Sequence, residues 1–117
     1  MAKIILSGGA GYIGTKLTEY LLENTDHKIV IVDRLDFKLD ENFKKNTYSN
    51  NRVSFHKEDI RNLDFMNSII ESDDYVVNLA ALVGEPLCKI KPEEAVDVNF
   101  EAAKNLAILC KEKNIKK

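Results

Sequence analysis

A glycine-rich segment near the start of the chain has the spacing GxxGxxG, with Gly8, Gly11 and Gly14 at its glycine positions. This spacing is typical of a turn that meets a ligand: the first glycine permits a sharp turn, the second removes a Cβ from the ligand's path, and the third allows close packing of a helix. The N–H groups at the start of that helix, at Tyr12 and Ile13, would face an anion. The segment therefore predicts a site for the pyrophosphate of a dinucleotide.

Asp33 ends the next apolar run, about 20 residues beyond the last of these glycines. A carboxylate there can accept hydrogen bonds from the adenosine ribose hydroxyls, and it repels a 2′-phosphate. We therefore expect NAD rather than NADP. Arg34 works against this preference, because a guanidinium can bind a 2′-phosphate. A glycine turn that binds nothing is the alternative, and the position of the turn between a strand and a helix argues against it.

These residues need a framework of alternating strands and helices, and the apolar periodicity supplies it. Predicted strands cover Lys3–Ser7, Lys28–Asp33, Arg52–His56 and Tyr75–Ala80. Predicted helices run from Tyr12 to about Glu23, Asn62 to about Ser72, and Pro92 to about Lys113. This order indicates an α/β fold, the first half of a Rossmann-type doubly wound parallel sheet with strand order 3-2-1-4.

Two connections and one helix face are less clearly specified. The polar stretch from Arg34 to Asn51 suits either a short helix around Asp40 to Lys45 or mostly loop, and a loop containing Gly84 and Pro86 follows the fourth strand. The buried stripe of the last helix is expected at Val96, Phe100, Ala103, Leu106 or Ala107, and Cys110.

Composition limits the classes of function. The 117 residues carry a net charge of −2, which argues against binding to nucleic acid or to a membrane surface. We see no apolar run long enough to cross a membrane. Cys88 and Cys110 lack metal-ligand spacing and indicate thiols in a reducing compartment, so we expect no metal and a cytoplasmic protein.

The glycine pattern, together with Asp59 and Ile60 after the third strand, resembles the extended short-chain dehydrogenase/reductase family. Within that family it is similar to the NAD-dependent sugar-nucleotide epimerases and dehydratases. The resemblance implies that Asp59 contacts the adenine amino group and that the Ile60 backbone lies alongside.

Two further segments carry the same resemblance. Leu79, Ala80 and Ala81 match the family's HxAA segment beside the nicotinamide ribose, although Asn78 replaces its histidine. Asn99 matches the first asparagine of VNxxGTxNLL, which implies that it anchors the end of the fourth strand near the cofactor. Ala102 and Ala103 replace the usual Gly-Thr, and neither departure affects the phosphate contacts.

The family's catalytic Ser/Thr and Tyr-x-x-x-Lys pair follow a fifth strand, which would start near Ile115. Tyr12 and Lys16 have the same spacing but would lie against the pyrophosphate, so no catalytic residue is assigned. We therefore expect residues 1–117 to form the NAD-binding domain, truncated before that strand, without the substrate domain. The chain alone should be inactive, and a nucleotide-sugar substrate belongs only to the full-length parent.

An apolar edge at Tyr75 to Leu79 and exposed helix faces near Val98 to Leu109 predict self-association. Two other functions stay open: a non-catalytic dinucleotide sensor or interaction module, and a flavin or S-adenosylmethionine site, which fits the adenosine pattern less well.

Overall fold

The computed structural model describes residues 1–35, 41–82 and 85–117. Its central strand, β1 (Lys3–Ser7), pairs in parallel with β2 (Lys28–Asp33) on one side and with β4 (Tyr75–Asn78) on the other. β3 (Val53–Lys57) lies beyond β2. The order β3-β2-β1-β4 confirms the predicted topology. All these strands point the same way, so their carboxyl ends meet at one edge, where the glycine turn begins.

Helices connect the strands and continue after the last one. The described ones are α1 (Tyr12–Asn24), α2 (Glu41–Asn46), α3 (Leu63–Ile69), α4 (Glu85–Ile90), α5 (Pro92–Val96), a π-helical turn (Asp97–Ala102) and α6 (Ala103–Glu112). α2 confirms the helical alternative for the polar stretch. Asp40 and Gly84, which the predictions included, lie outside the described residues.

The sheet buries apolar side chains on both faces, as a doubly wound fold requires. Ile5 of β1 packs on one face with Met66 of α3 and Leu106 of α6. Ile4 and Leu6 point to the other face, where α1 covers them with partly buried leucines. Alternate residues of one strand thus belong to two separate cores, which explains why β1 is apolar almost throughout.

Two predictions about the chain after β4 are wrong. The expected loop around Pro86 contains the helix α4. The buried stripe of the last helix is correct at Leu106 and Cys110 but wrong at its start, because Val96 and Phe100 are 57% and 59% exposed. The residues buried along this helix are Ala95, Val98, Ala102, Leu106 and Cys110.

The π-helical turn explains why the predicted stripe is wrong at Val96 and Phe100 but correct at Leu106 and Cys110. Each π turn holds more residues than an α turn, so side chains before it are rotated relative to those after it. The helix remains continuous through Glu112, close to its predicted end. The expected exposure at Val98 is also wrong, since that side chain is 5% exposed.

The chain's final residues lie beside β4. Lys116 N donates to Asp74 O at 2.8 Å, and Val76 N donates to Lys117 O at 3.0 Å. The β4 edge, expected to be exposed, is therefore partly covered at its start. No described helix is both long enough and apolar enough to span a bilayer.

Candidate functional site

The turn after β1 depends on a glycine with a left-handed backbone. Gly8 has φ +72°, and a Cβ there would lie 2.5 Å from Ala80 N. Its own N–H donates to Val32 O at 2.7 Å, which ties the turn to the end of β2. Any side chain would both strain this backbone and push away the segment after β4. The predicted role of Gly8 in the sharp turn is confirmed.

Close packing at the start of α1 depends on two glycines, Gly9 and Gly14. A Cβ on Gly14 would lie 2.5 Å from Gly9 Cα. The helix therefore approaches the turn itself, and the GxxGxxG spacing had not singled out Gly9. Among the described residues, a Cβ on Gly11 would meet only Gly8 O, at 3.5 Å, and this glycine lines a cleft.

The start of α1 is suited to an anion. Gly11 is the N-cap, no described side chain caps the helix, and its first turn contains no acidic residue. The first N–H groups of a helix need partners from outside it, and the helix dipole favours negative charge there.

Asp33 lies directly beside this turn. Its Oδ2 accepts a hydrogen bond from Ala10 N at 3.0 Å, and its Oδ1 accepts one from Leu35 N at 2.7 Å. These bonds orient the carboxylate at the carboxyl end of β2. Each oxygen keeps a further lone pair for a ligand hydroxyl.

Asp59, after β3, is surrounded by two arginines. Its Oδ2 accepts from Arg61 Nη2 at 2.6 Å and from Arg34 Nη1 at 3.3 Å. Burial alone would raise the pKa of Asp59, but the hydrogen bonds and positive charge of Arg61, with the help of Arg34, outweigh it and lower the pKa to about 2. The carboxylate is therefore ionised at neutral pH.

The end of β4 is held by two asparagines. Asn78 Oδ1 accepts from Ser7 Oγ at 2.6 Å. Asn99, in the π-helical turn, binds the backbone of Leu82 twice: its Oδ1 accepts from Leu82 N at 2.7 Å, and its Nδ2 donates to Leu82 O at 2.8 Å. The structure thus shows Asn99 attached to the segment after β4.

A cleft of about 570 Å³ joins these features at the carboxyl edge of the sheet. It is lined by all but one of the predicted cofactor-binding residues, namely Gly8, Gly11, Tyr12, Ile13, Gly14, Asp33, Arg34, Asp59, Ile60, Leu79, Ala80 and Ala81. Asn99 is not among the lining residues and contacts the cleft wall through Leu82.

Sequence reasoning missed some lining residues. These are Ala10, Val32, Leu35, Glu58, Leu82 and Val98. Most are neighbours of predicted residues in the loops that follow the strands, so extending each motif by one residue would have found them. Val98 is the residue before Asn99 in the same motif, so it too would have been found, although the predicted helix stripe did not include it.

A parallel sheet whose glycine turn, helix start and strand-end carboxylate share one cleft defines a dinucleotide-binding fold. Comparison with known proteins narrows the class. Residues 4–117 match the family described as the NAD dependent epimerase/dehydratase family. The chain belongs to this family, which confirms the resemblance inferred from the motifs.

Three similar proteins illustrate the match. UDP-D-apiose/UDP-D-xylose synthase 1 of Arabidopsis thaliana is 28% identical over 112 residues, which cover 95% of this chain and 29% of the synthase. A solved UDP-N-acetylglucosamine 4-epimerase from Methanobrevibacter ruminantium M1 has a TM-score of 0.85 at 32% identity, covering 98% of this chain and 36% of that one. The UDP-glucuronic acid 4-epimerase from Bacillus cereus, solved in complex with NAD, has a TM-score of 0.75 at 27% identity, covering 97% of this chain and 37% of that one.

The chain thus spans between 29% and 37% of the length of these three relatives.

Proposed function

We propose that the cleft binds NAD and that the chain serves as the NAD-binding portion of a sugar-nucleotide epimerase or dehydratase. The observation that carries the proposal is the Asp33 carboxylate bonded to Ala10 N at 3.0 Å, beside the uncapped start of α1. A carboxylate that can accept from ribose hydroxyls thus lies next to N–H groups that can donate to a pyrophosphate, and this pairing supports the proposal because an adenine dinucleotide needs both.

Each part of the cleft has a role in this proposal. The N–H groups of Tyr12 and Ile13 bind the pyrophosphate beside Gly11, whose own N–H donates to Gly8 O at 3.3 Å, and Asp33 binds the adenosine ribose. Asp59 and Ile60 border the adenine. The segment from Leu79 to Ala81 borders the nicotinamide ribose, with Asn99 fixing it through Leu82.

The activity proposed for the enzyme is hydride removal and return at a sugar carbon. NAD, when bound, supplies the hydride acceptor. The described residues bind and orient it, and we assign none of them to proton transfer. Lys16, of the Tyr12/Lys16 pair, contacts Glu19 at 3.4 Å. We therefore expect residues 1–117 to bind NAD without converting a nucleotide sugar, with the substrate bound by segments that these residues do not include.

Calorimetric titration of the 117-residue chain with NAD and NADP tests the proposal. We expect saturable NAD binding and weaker NADP binding. Asp33→Asn keeps an oxygen for Ala10 N but loses the charge, so NAD affinity should fall about tenfold or more. Asp64→Asn, on the exposed first turn of α3, is the matched control and should bind as the unsubstituted chain does. Tighter binding of NADP than of NAD, or no heat with either, would refute the proposal.

Self-association and a cytoplasmic location are further parts of the proposal. Val96, Phe100 and Ile108 are between 49% and 59% exposed on the last helix, which favours burial against a second copy. Sedimentation velocity should detect this self-association, and a monomer at all concentrations would contradict it.

Cys88 and Cys110 are free thiols, which suits a reducing compartment such as the cytoplasm. Cell fractionation tests the location.

A further inference from the structure

Arg34, the residue that argues for NADP, is bonded to two carboxylates. Its Nη1 donates to Asp59 Oδ2 at 3.3 Å, and its Nη2 lies 2.6 Å from Glu94 Oε1. The Arg34 side chain is 23% exposed and that of Glu94 is 25% exposed. This ion pair is therefore partly shielded from water, which makes it stronger than a fully exposed one.

The Arg34–Glu94 ion pair bears on cofactor choice because of where Arg34 lies. Arg34 follows Asp33 directly and lines the same cleft. In dinucleotide-binding folds, an arginine near this point accommodates the 2′-phosphate of NADP, because a guanidinium binds phosphate with two parallel hydrogen bonds. To bind a phosphate in that way, Arg34 would have to turn nitrogens away from Asp59 and Glu94. Turning away would leave the half-buried Glu94 without its shortest ion pair.

Glu94, rather than Asp59, is the partner that depends on Arg34. Asp59 also accepts from Arg61 Nη2 at 2.6 Å and would keep that partner. Glu94 has longer contacts with other cations, 3.7 Å to Lys91 Nζ and 3.8 Å to Arg61 Nη2. The Arg34 hydrogen bond is also the main cause of the lowered pKa of Glu94, so this carboxyl is ionised at neutral pH.

We propose that Glu94 is a positioning residue that sets cofactor choice: it holds the Arg34 guanidinium against α5 and so withholds it from a 2′-phosphate. This inference rests on the proposed NAD site. Asp33 then rejects NADP by repulsion, and Glu94 rejects it by occupying the one cleft-lining arginine in the described part of the chain.

Glu94→Ala in the 117-residue chain tests the assignment by calorimetry with NAD and NADP. Without the Glu94 carboxylate, Arg34 can turn to a phosphate, so NADP affinity should rise roughly tenfold. NAD affinity should stay within about twofold, because NAD has no 2′-phosphate to meet Arg34. Glu94→Gln keeps an uncharged acceptor and should shift the ratio in the same direction by less. If thermal unfolding shows that Glu94→Ala does not fold, Glu94→Gln is the variant that tests the assignment.

Glu93→Ala is the matched control. Glu93 lies in the same first turn of α5 as Glu94 and is exposed. Glu93→Ala therefore changes the net charge and the start of α5 as Glu94→Ala does, without touching Arg34 in the contacts described. It should leave the NAD-to-NADP affinity ratio unchanged. The double variant Arg34→Gln with Glu94→Ala should lose the gain in NADP affinity, because the phosphate-binding group is gone.

The outcomes separate this inference from the proposed function. An unchanged affinity ratio in both Glu94 variants overturns the inference, as does a gain in NADP affinity that persists without Arg34 or that Glu93→Ala reproduces. An unsubstituted chain that binds neither dinucleotide contradicts the proposed function, and the inference falls with it.

Discussion

Gly14 has no room for a side chain, because its Cβ would lie 2.5 Å from Gly9 Cα. Replacement of a helical glycine by alanine ordinarily stabilises a helix by up to ~1 kcal/mol. Here we expect Gly14→Ala to lower the free energy of unfolding by about 1–3 kcal/mol, since the helix must move away from the turn. Urea denaturation followed by circular dichroism measures the change.

Gly11→Ala is the natural counterpart. Gly11 has φ −76°, a value that alanine adopts readily, and within the described part of the chain its Cβ would make one ordinary contact, with Gly8 O at 3.5 Å. Stability should change by less than about 1 kcal/mol. The new methyl group would point into the cleft, so NAD affinity should fall. Equal stability losses in both variants would contradict this division of roles.

Tyr48 makes stability sensitive to alkaline pH. Burial, and then the negative charge of Asp33, raises the pKa of Tyr48 from 10.0 to about 12. The fold favours the neutral phenol, so this contribution is fully present below pH 10 and is lost as pH rises through 12. We expect Tyr48→Phe to reduce the alkaline loss of unfolding free energy by an amount on the order of 1 kcal/mol, after solvent screening.

Urea denaturation at pH 8 and at pH 11 would measure that loss. Phenylalanine keeps the ring that stacks on Phe55 with centroids 4.9 Å apart, so the packing is preserved. Tyr20→Phe, at a 61% exposed position, is the control and should keep the full loss. Lysine also titrates at alkaline pH, but the ion pairs of Lys3 with Glu71 and Asp74 are present in all variants, so they do not affect the comparison between variants. An alkaline loss that Tyr48→Phe leaves unchanged would show that another group causes it.

Residues of the site differ in how visible they are in the sequence. Gly8 and Asp33 were predictable because each follows a strand at a spacing that the ligand dictates. Glu94 was not, because its partner Arg34 lies far away in the chain and only the packing of α5 brings them together. An ion pair between residues so far apart produces no local pattern in the sequence.

The segment after β4 is attached to the π-helical turn by the side chain of Asn99. Asn99→Ala removes both hydrogen bonds to Leu82, whose side chain is 4% exposed. Leu82 N would be left unpaired, whereas Leu82 O would keep its hydrogen bond from Cys88 Sγ at 3.3 Å. Leaving the buried N–H unpaired should cost about 1–3 kcal/mol of unfolding free energy. Chemical denaturation measures it, with Asn67→Ala on the exposed side of α3 as the control. A loss no greater than the control's would mean that Asn99 does not hold the segment.

Strands were easier to predict than helices. β1 and β2 are apolar runs bounded by turns, and their predicted ends are correct. β4 ends at Asn78 rather than Ala80, and its last contact with β1 is the hydrogen bond from Leu79 N to Ser7 O at 2.7 Å. The π-helical turn was missed because a change in backbone hydrogen bonding leaves the residue types unaltered.

The arrangement of the whole sheet followed from few rules. Right-handed crossovers and helices on both faces allow few orders, and the observed order β3-β2-β1-β4 is the expected one. What the rules could not supply is how tightly the loops close over the edge. That depends on contacts such as Gly8 with Ala80, between distant parts of the chain.

The central place of β1 has a consequence for synthesis on the ribosome. β2 follows β1 after one helix and can pair with it early, whereas β4 begins only at Tyr75. Until Tyr75 to Asn78 have emerged, β1 is an almost wholly apolar strand with one uncovered edge, and such strands recruit other chains. The nascent protein therefore passes through an interval of exposure to misassembly, and slower translation of the residues between β2 and β4 would lengthen it.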